Sequence, residues 1–405
     1  MYKIVQINSI VNSGSTGHIA EQIGQLIKKE GWESYIVYGR NNRSTESIGI
    51  KIGSKISIYF HVFITRLFNL HGLGSIFATK KLIKKLKNIQ PDIVHLHCIH
   101  GYYINYKLLF KYLSEINIPV IMTFHDCWCF TGHCSHYEPI KCDKWKSCCR
   151  NCSSINTYPK SFLNLNVKKQ FLLKKKMFTS IDNLTIITPS KWLTEETKQS
   201  FFKGYDIRTI NNGIDLNVFR LLSEKDIEDE KQKYKKHVLL GVASVWTDKK
   251  GLSDFCKLNE ILGDNYQLVL VGLSRKQVAM LPDSIIKIER TETQHDLVKL
   301  YNIADIYINM TYEDTFPTTN LEALACGTPV ITYKTGGSTE IVEDGLGLVV
   351  EKGDVKGVRE AVDTIMTMNI ESIRNKCIQQ AISKYNKNEK FAEYIKLYKE
   401  LLKVV

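Results

Sequence analysis

The stretch "ADIYINMTYEDTFPTTNLEALACGTPVITY" (residues 304–333) reads as a strand, a loop, a helix and a second strand. Its ends, "ADIYINM" and "PVITY", are short runs of β-branched and aromatic residues, the pattern of strands buried on both faces of a parallel sheet. Between them, Pro317 fits the first turn of a helix and Gly327 fits the residue just past its end. A strand, a helix and a strand in that order make the βαβ unit of doubly wound α/β folds.

The same alternation runs outward. Strands are predicted at "YKIVQIN" (2–8), "SYIVYG" (34–39), "DIVHLH" (92–97), "PVIMTFH" (119–125) and "LTIITPS" (184–190). The series restarts with "HVLLGVAS" (237–244), "YQLVLVG" (266–272) and "IIKIE" (285–289) before reaching the opening stretch. Two Rossmann-like sheets in tandem follow, which suits 405 residues. The expected division is a first domain over 1–210 with a Cys-rich insertion at about 127–155, a turn-rich and charged linker at 211–236, and a second domain over 237–386. A helix over 387–405, with Phe391, Ile395, Tyr398 and Leu402 on one face, is expected to pack back toward the first domain. Ligands of such sheets bind beyond the carboxyl ends of the strands, so a central cleft between the domains is the expected site.

With 43% hydrophobic and 24% charged residues, the composition is that of a globular protein. Charge is uneven. Residues 1–180 hold 25 Lys and Arg against 9 Asp and Glu, or +16; the remaining 30 against 33 give −3. Such a field favours polyanions, and without a zinc-finger or RNA-binding signature an acidic membrane surface is expected rather than nucleic acid. A solvated basic surface is the plainer alternative. The N-terminal "MYKIVQINSIVNSGSTGH" lacks the regions of a signal peptide, so a cytoplasmic chain, peripheral at the inner face of the plasma membrane, is expected. "ISIYFHVFITRLFNLHGLGSIFA" (56–78) is interrupted by His61, Arg66 and His71, and reads as an amphipathic or buried helix rather than a span.

Asp314 precedes the helix of the opening stretch and Glu322 lies within it. A helix start offers free N–H groups to phosphate, and two acids can hold the hydroxyls of a sugar and of a ribose. That combination suits a sugar nucleotide.

The run from Thr311 to Gly337 closely resembles the signature of the retaining GT-B glycosyltransferases (glycosyl transferases group 1): an acid, seven residues, Glu-Ala, a small-residue turn and Gly-Gly. "HLHCIH", "TFHDCW", "NNGID" with Phe219, "DKKG" and the "VG" that ends in Gly272 extend the likeness, which is closest to the bacterial colanic-acid and capsule subgroup. The resemblance implies two domains facing a cleft. It also implies a hexose-type sugar passed, with retention and no catalytic metal, from a UDP- or GDP-sugar to a saccharide on a polyprenyl diphosphate. By position, Asp314 contacts the donor sugar, Glu322 the ribose, and N–H groups around Phe316, Thr318 and Thr319 the pyrophosphate. Lys250 neutralises the departing diphosphate, His125 faces the donor sugar, and Arg290 with Thr291 reads the nucleobase unless that loop is merely solvated. Two positions depart from the pattern. Ser244 replaces an arginine, leaving Lys249 or Arg275 to supply the second charge, and Pro317 replaces a glycine. The loop with Gly14, Ser15, Thr16 and Gly17 corresponds to one near donor phosphate and acceptor, or is a turn that lets helix and strand pack closely.

Two nearer alternatives use the same site: a GT-B epimerase or phosphorylase, and a sugar-nucleotide-binding protein without catalysis. His95, His97 and His100 are expected to be structural, and a structural role stays open for His125. Seven of eleven cysteines fall within 123–152. Cys134, Cys142, Cys149 and Cys152, with Cys148 able to replace Cys149, are expected as a structural Zn²⁺ set; reduced packing cysteines and redox chemistry are the alternatives.

Overall fold

The computed structural model describes residues 1–41 and 43–404. Their strands form two sheets in which every pairing is parallel. The first holds β1 (Lys3–Ile7), β2 (Glu33–Tyr38), β3 (Ile48–Lys51), β4 (Ile93–Leu96), β5 (Val120–Thr123), β6 (Leu184–Thr188) and β7 (Asp206–Thr209) in the order β3-β2-β1-β4-β5-β6-β7. The second holds β8 (His237–Val242), β9 (Tyr266–Val271), β10 (Ile286–Ile288), β11 (Ile306–Asn309), β12 (Val330–Tyr333) and β13 (Gly347–Val350) in the order β10-β9-β8-β11-β12-β13. β4, β5 and β6 are buried along their whole length, which is why they read as continuous apolar runs.

β3 and β7 carry no such run, β13 has only the three residues Leu348–Val350, and none of the three is among the predicted strands. Each is a four-residue strand at a sheet edge, where one side meets water and burial is only partial.

The chain divides into two units: Met1–Asn211 with Phe391–Val405, and Asn212–Lys390. In the first, Phe391, Tyr394, Ile395 and Tyr398 of the helix Lys387–Leu402 are buried against Ile4, Ile19, Ile23 and Ile93. Each such side chain contributes roughly 1.5–3 kcal/mol by leaving water. Residues 212–236, expected as a linker, lie within the second unit. Ile214 and Phe219 are in its core and Glu224–Lys231 is helical with Ile227 buried. Gly213 lets the chain pass Lys387, where a Cβ would come within 2.5 Å of the Lys387 Cα.

Residues 56–78 form two helices, Lys55–Phe68 and the start of Ile76–Ile89, joined by a turn. The first is not buried on its apolar side: His61 and Thr65 are inside while Tyr59 and Phe60 face solvent. Four interleaved cysteines do not make a metal centre either. Among the described residues no group of three or more His, Cys, Asp or Glu side chains could hold a metal ion, so the expected zinc set is not supported. Cys134 and Cys149 are instead buried in the first unit's core, with Cys142 and Cys152 packed against it beside Trp128, Phe130, Tyr137 and Trp145. A buried lysine holds the insertion: Lys174 Nζ lies 3.4 Å over the Trp128 ring and donates to the Trp128 and Thr131 carbonyls at 2.7 and 3.1 Å.

Candidate active site

In the second sheet β8 lies between β9 and β11, so the strand order reverses at β8 and β11 and the loops after them flank the switch point. The loop after β8 ends in the 3₁₀ turn Asp248–Lys250, and Gly251 follows with φ +79°. A Cβ there would meet the Met310 carbonyl oxygen at 2.4 Å, so only glycine permits the approach of this loop to the end of β11. The Tyr312 N–H seals it by donating to the Lys249 carbonyl at 2.8 Å.

That approach sets two lysines against two acids. Lys249 Nζ lies 2.6 Å from Glu313 Oε2, and Lys250 Nζ lies 2.9 Å from Asp314 Oδ2. Burial pulls the Lys250 pKa down, but Asp314 and then Glu313 outweigh it and raise the ammonium above its usual value. Beneath the loops, buried Asp254 accepts from Tyr312 Oη at 2.6 Å and Tyr333 Oη at 3.0 Å. Gly272, φ +97°, permits a similar close approach after β9: a Cβ would lie 1.7 Å from the Ala243 carbonyl oxygen.

Asp314 Oδ1 also accepts from the Phe316 N–H at 3.2 Å. Phe316 and Pro317 are buried, and Pro317 is the cap residue before the helix Thr318–Ala325, one position earlier than its expected place in the first turn. Thr318 and Thr319 begin the helix and are half-buried. Gly327, φ +79°, ends it. Glu322 points its Oε2 at Tyr301 Oη, 2.8 Å away; burial raises its pKa to about 7, and the Tyr301 hydrogen bond only partly opposes this. Two polar atoms near these loops, Asn320 Nδ2 and Ser338 Oγ, are buried without a hydrogen-bond partner. Such atoms are uncommon and mark places where a ligand can supply what the protein does not.

In the first unit the switch lies between β1 and β4. Gly14, Ser15, Thr16 and Gly17 are not a free loop: they are the first turn of the helix Gly14–Lys29. Gly17 packs tightly, with a Cβ position 3.3 Å from the Asn12 nitrogen. After β5, His125 stands beside Asp126, whose carboxylate accepts from the Trp128 N–H at 2.8 Å and pairs with His100 at 2.9 Å. Burial disfavours both charges, yet their attraction prevails, holding Asp126 at about 2 and His100 well above its usual value.

Histidines 95 and 97 are structural in geometry. His95 meets Tyr398 Oη at 2.7 Å and Thr123 Oγ1 at 2.8 Å. His97 does more. Gln6 Nε2 donates to the Ala20 carbonyl at 2.8 Å, which turns its Oε1 toward His97 Nε2 at 3.0 Å. His97 Nε2 therefore carries the proton, and its bare Nδ1 accepts from His125 Nε2 at 3.2 Å. Burial lowers the pKa of both rings, that of His125 to about 4, so both are neutral at neutral pH and His125 is left with Nδ1 as its accepting nitrogen. If His125 works through that nitrogen, His97→Phe should cut kcat/KM about tenfold, the worth of one misdirected hydrogen bond. His97→Gln, which can still accept, should lose less; equal losses would show that His97 is only packing.

Residues 13–218, half of the chain, match the family described as Glycosyltransferase Family 4, and residues 223–384 match Glycosyl transferases group 1. The chain belongs to these glycosyltransferases. Its fold is GT-B. Sucrose-phosphate synthase from Thermosynechococcus elongatus superposes with a TM-score of 0.73 at 15% identity, covering 99% of each chain. An Anabaena protein crystallised with UDP-glucose gives 0.64 at 14% identity, covering 98% of this glycosyltransferase and 100% of that chain. Among curated relatives, D-inositol 3-phosphate glycosyltransferase of a Mycobacterium species is 31% identical over 91 residues. That match covers 22% of this chain and only 21% of the relative. The capsular polysaccharide glycosyltransferase CapM of Staphylococcus aureus is 25% identical over 40% of this chain and 45% of its own. The N,N'-diacetylbacillosaminyl-diphospho-undecaprenol α-1,3-N-acetylgalactosaminyltransferase of Campylobacter jejuni is 25% identical over 42% of this chain and 46% of its own.

Within the second unit of this glycosyltransferase, Lys249, Lys250, Asp314, Phe316 and the start of the Thr318–Ala325 helix are brought together. Arg290 and Thr291 are not: they follow β10, the edge strand, two places from the switch, and Arg290 is exposed. Arg275 is exposed and its ion-pair partner is Glu289, at 3.6 Å, so Lys249 is the nearer second charge. Sequence reasoning missed Asp254, Tyr301 and Glu313. Asp254 sits in a first helical turn, where an acid is expected for the helix dipole alone, and its tyrosine partners are 58 and 79 positions away.

Proposed function

We propose that the chain transfers a hexose-type sugar from a UDP- or GDP-sugar to a saccharide carried on a polyprenyl diphosphate, in the assembly of a bacterial surface polysaccharide. The observation that carries this reading is the pair of lysines on the loop after β8, held against the acids of the loop after β11 at the switch point. The names of the CapM and undecaprenol-linked relatives, and the UDP-glucose held by the Anabaena structure, support the acceptor and donor classes.

In this reading the C1–O bond to the diphosphate breaks with its electron pair leaving on the diphosphate oxygen. Lys250 and the N–H groups at the start of the Thr318–Ala325 helix meet that charge, work done elsewhere by a divalent metal. Lys250 exchanges Asp314 for phosphate, freeing the Asp314 carboxylate for sugar hydroxyls. Glu322 holds the ribose, and His125 faces the donor sugar. Acceptor attack on the face the diphosphate leaves retains the anomeric configuration, the acceptor proton passing to the departing diphosphate. An acidic membrane surface would present the lipid-linked acceptor at the cytoplasmic face.

A thermal-shift screen of nucleoside diphosphates and sugar nucleotides tests the donor. At a hundred times Kd the right ligand adds about 2.7 kcal/mol, several degrees for a unit of this size. No shift with any UDP, GDP or ADP ligand would sink the reading. Product analysis separates transfer from the other chemistries: free sugar marks an epimerase-type reaction, and dependence on inorganic phosphate marks a phosphorylase.

A further inference from the structure

The helix Lys55–Phe68 is inside out. Its fully buried side chains are polar, His61 and Thr65 at 0% exposure, whereas Ile56 is 81%, Tyr59 72%, Phe60 60% and Phe63 55% exposed. These four stand at i, i+3, i+4 and i+7, one stripe along the helix. The inversion is built, not loose. His61 Nε2 accepts from the Gly72 and Gly74 N–H groups at 2.9 and 3.2 Å, so its Nδ1 bears the proton and meets Ser75 Oγ at 3.0 Å. Gly74 passes so close to the ring that a Cβ would lie 2.4 Å from it. Through this clamp the start of the next helix, Ile76–Ile89, is tied to the side of the first, and its leading residues Ile76 and Phe77 are exposed at 47% and 83%.

The segments that carry these residues hold charge of one sign. No aspartate or glutamate occurs between Glu46 and Asp92, nor between Asp143 and Asp182. The exposed face of the Ile76–Ile89 helix continues from Phe77 into Lys80, Lys81, Lys84 and Lys85. At the other end of the inverted helix, the Phe162 N–H donates to the Arg66 carbonyl at 2.8 Å, which places exposed Phe162 and Leu163 against it. A soluble partner with an apolar face would need no such cluster of lysines, and a second copy of this chain would bring the same charges together at a cost. An aromatic stripe that runs on into exposed lysines fits an anionic lipid surface, where rings enter the headgroup boundary and lysines meet phosphates.

We propose that the Lys55–Phe68 helix and the first turn of the Ile76–Ile89 helix form the site at which the chain lies on an anionic phospholipid bilayer, the aromatic side chains inserting and Lys80, Lys81, Lys84 and Lys85 setting the lipid charge preference. The inference rests on the proposed function only for the purpose of membrane contact, and its test needs no substrate. The full chain is sedimented with phosphatidylcholine vesicles with and without phosphatidylglycerol. Binding is expected to require phosphatidylglycerol and to weaken as salt is raised. Phe60→Ser combined with Phe77→Ser should weaken it about tenfold or more. Lys80, Lys81, Lys84 and Lys85 changed together to Gln should abolish the preference for phosphatidylglycerol. The Tyr59→Trp variant should emit further to the blue on vesicles than in buffer, a readout that does not depend on the serine variant folding.

No sedimentation with either vesicle, or sedimentation of the Tyr59→Trp variant without a blue shift, overturns the proposal. So does a wild-type dimer that the Phe60 and Phe77 substitutions dissociate, since a second copy would then be the occupant. Donor-induced thermal shifts, measured separately on the same samples, report on the transferase reading alone, so either can fail while the other stands.

Discussion

Glu322→Gln is expected to melt higher than the wild-type chain at pH 8 while losing sugar transfer. The wild-type carboxyl has its pKa raised by burial from 4.5 to about 7, with Tyr301 Oη as its hydrogen-bond partner at 2.8 Å. In the unfolded chain the same group ionises near its ordinary value. Between the two values the folded state binds the extra proton, so stability falls as pH rises through that window and the deficit is complete above about 7. It amounts to about 2–3 kcal/mol after discounting for the half-buried setting. Glutamine carries no charge to desolvate and its amide oxygen still accepts from Tyr301, so the deficit disappears. The difference in melting temperature should therefore shrink as pH is lowered from 8 toward 4.5. Transfer behaves oppositely. On the proposed reading, a carboxylate holding the ribose hydroxyls is replaced by an amide with one acceptor, and donor affinity should fall by about tenfold or more. A variant that melts lower at every pH would instead make Glu322 a purely structural residue.

Lys250→Met should reduce kcat by a factor of roughly 10²–10³, the usual cost of removing one charge-stabilising donor from a transition state. The substitution also leaves Asp314, half-buried, without its ion partner at 2.9 Å, so some stability goes with it. The double variant Lys250→Met, Asp314→Asn separates the two effects: melting should recover toward wild type and transfer should not. Lys249→Met is the control, since Lys249 pairs with Glu313 on the same two loops and shares the same backbone frame. Loss of transfer by Lys249→Met as deep as by Lys250→Met would mean that the loops need their joint charge rather than one ammonium at the leaving oxygen.

Much of this is legible in the sequence alone. The inner strands announce themselves because both faces are buried, and Asp314, seven intervening residues and Glu322 announce a loop followed by a helix. Less local facts are not. β3, β7 and β13 are short edge strands, with no apolar run in the first two and only three apolar residues in the third. The cysteines of the insertion are close in sequence and invite a metal, but packing around Trp128 and Lys174 places them in a core instead. The apolar run at 56–78 has the spacing of an amphipathic helix, and spacing cannot say which face is inside. His61 decides it, by accepting two backbone N–H groups that would otherwise go unsatisfied in the interior.

The amino-acid order by itself determined two parallel sheets, the loops that end their strands and the kinds of side chain those loops carry, since strand burial and turn chemistry are written in neighbouring residues. Tertiary structure alone decided which charges meet. Lys250 reaches Asp314 because Gly251 admits the end of β11, and His125 donates from Nε2 because Gln6, 91 positions before His97, orients that ring. Electrostatic and hydrogen-bond partners act over a few ångströms in space, and no local pattern records which distant residues will share that space.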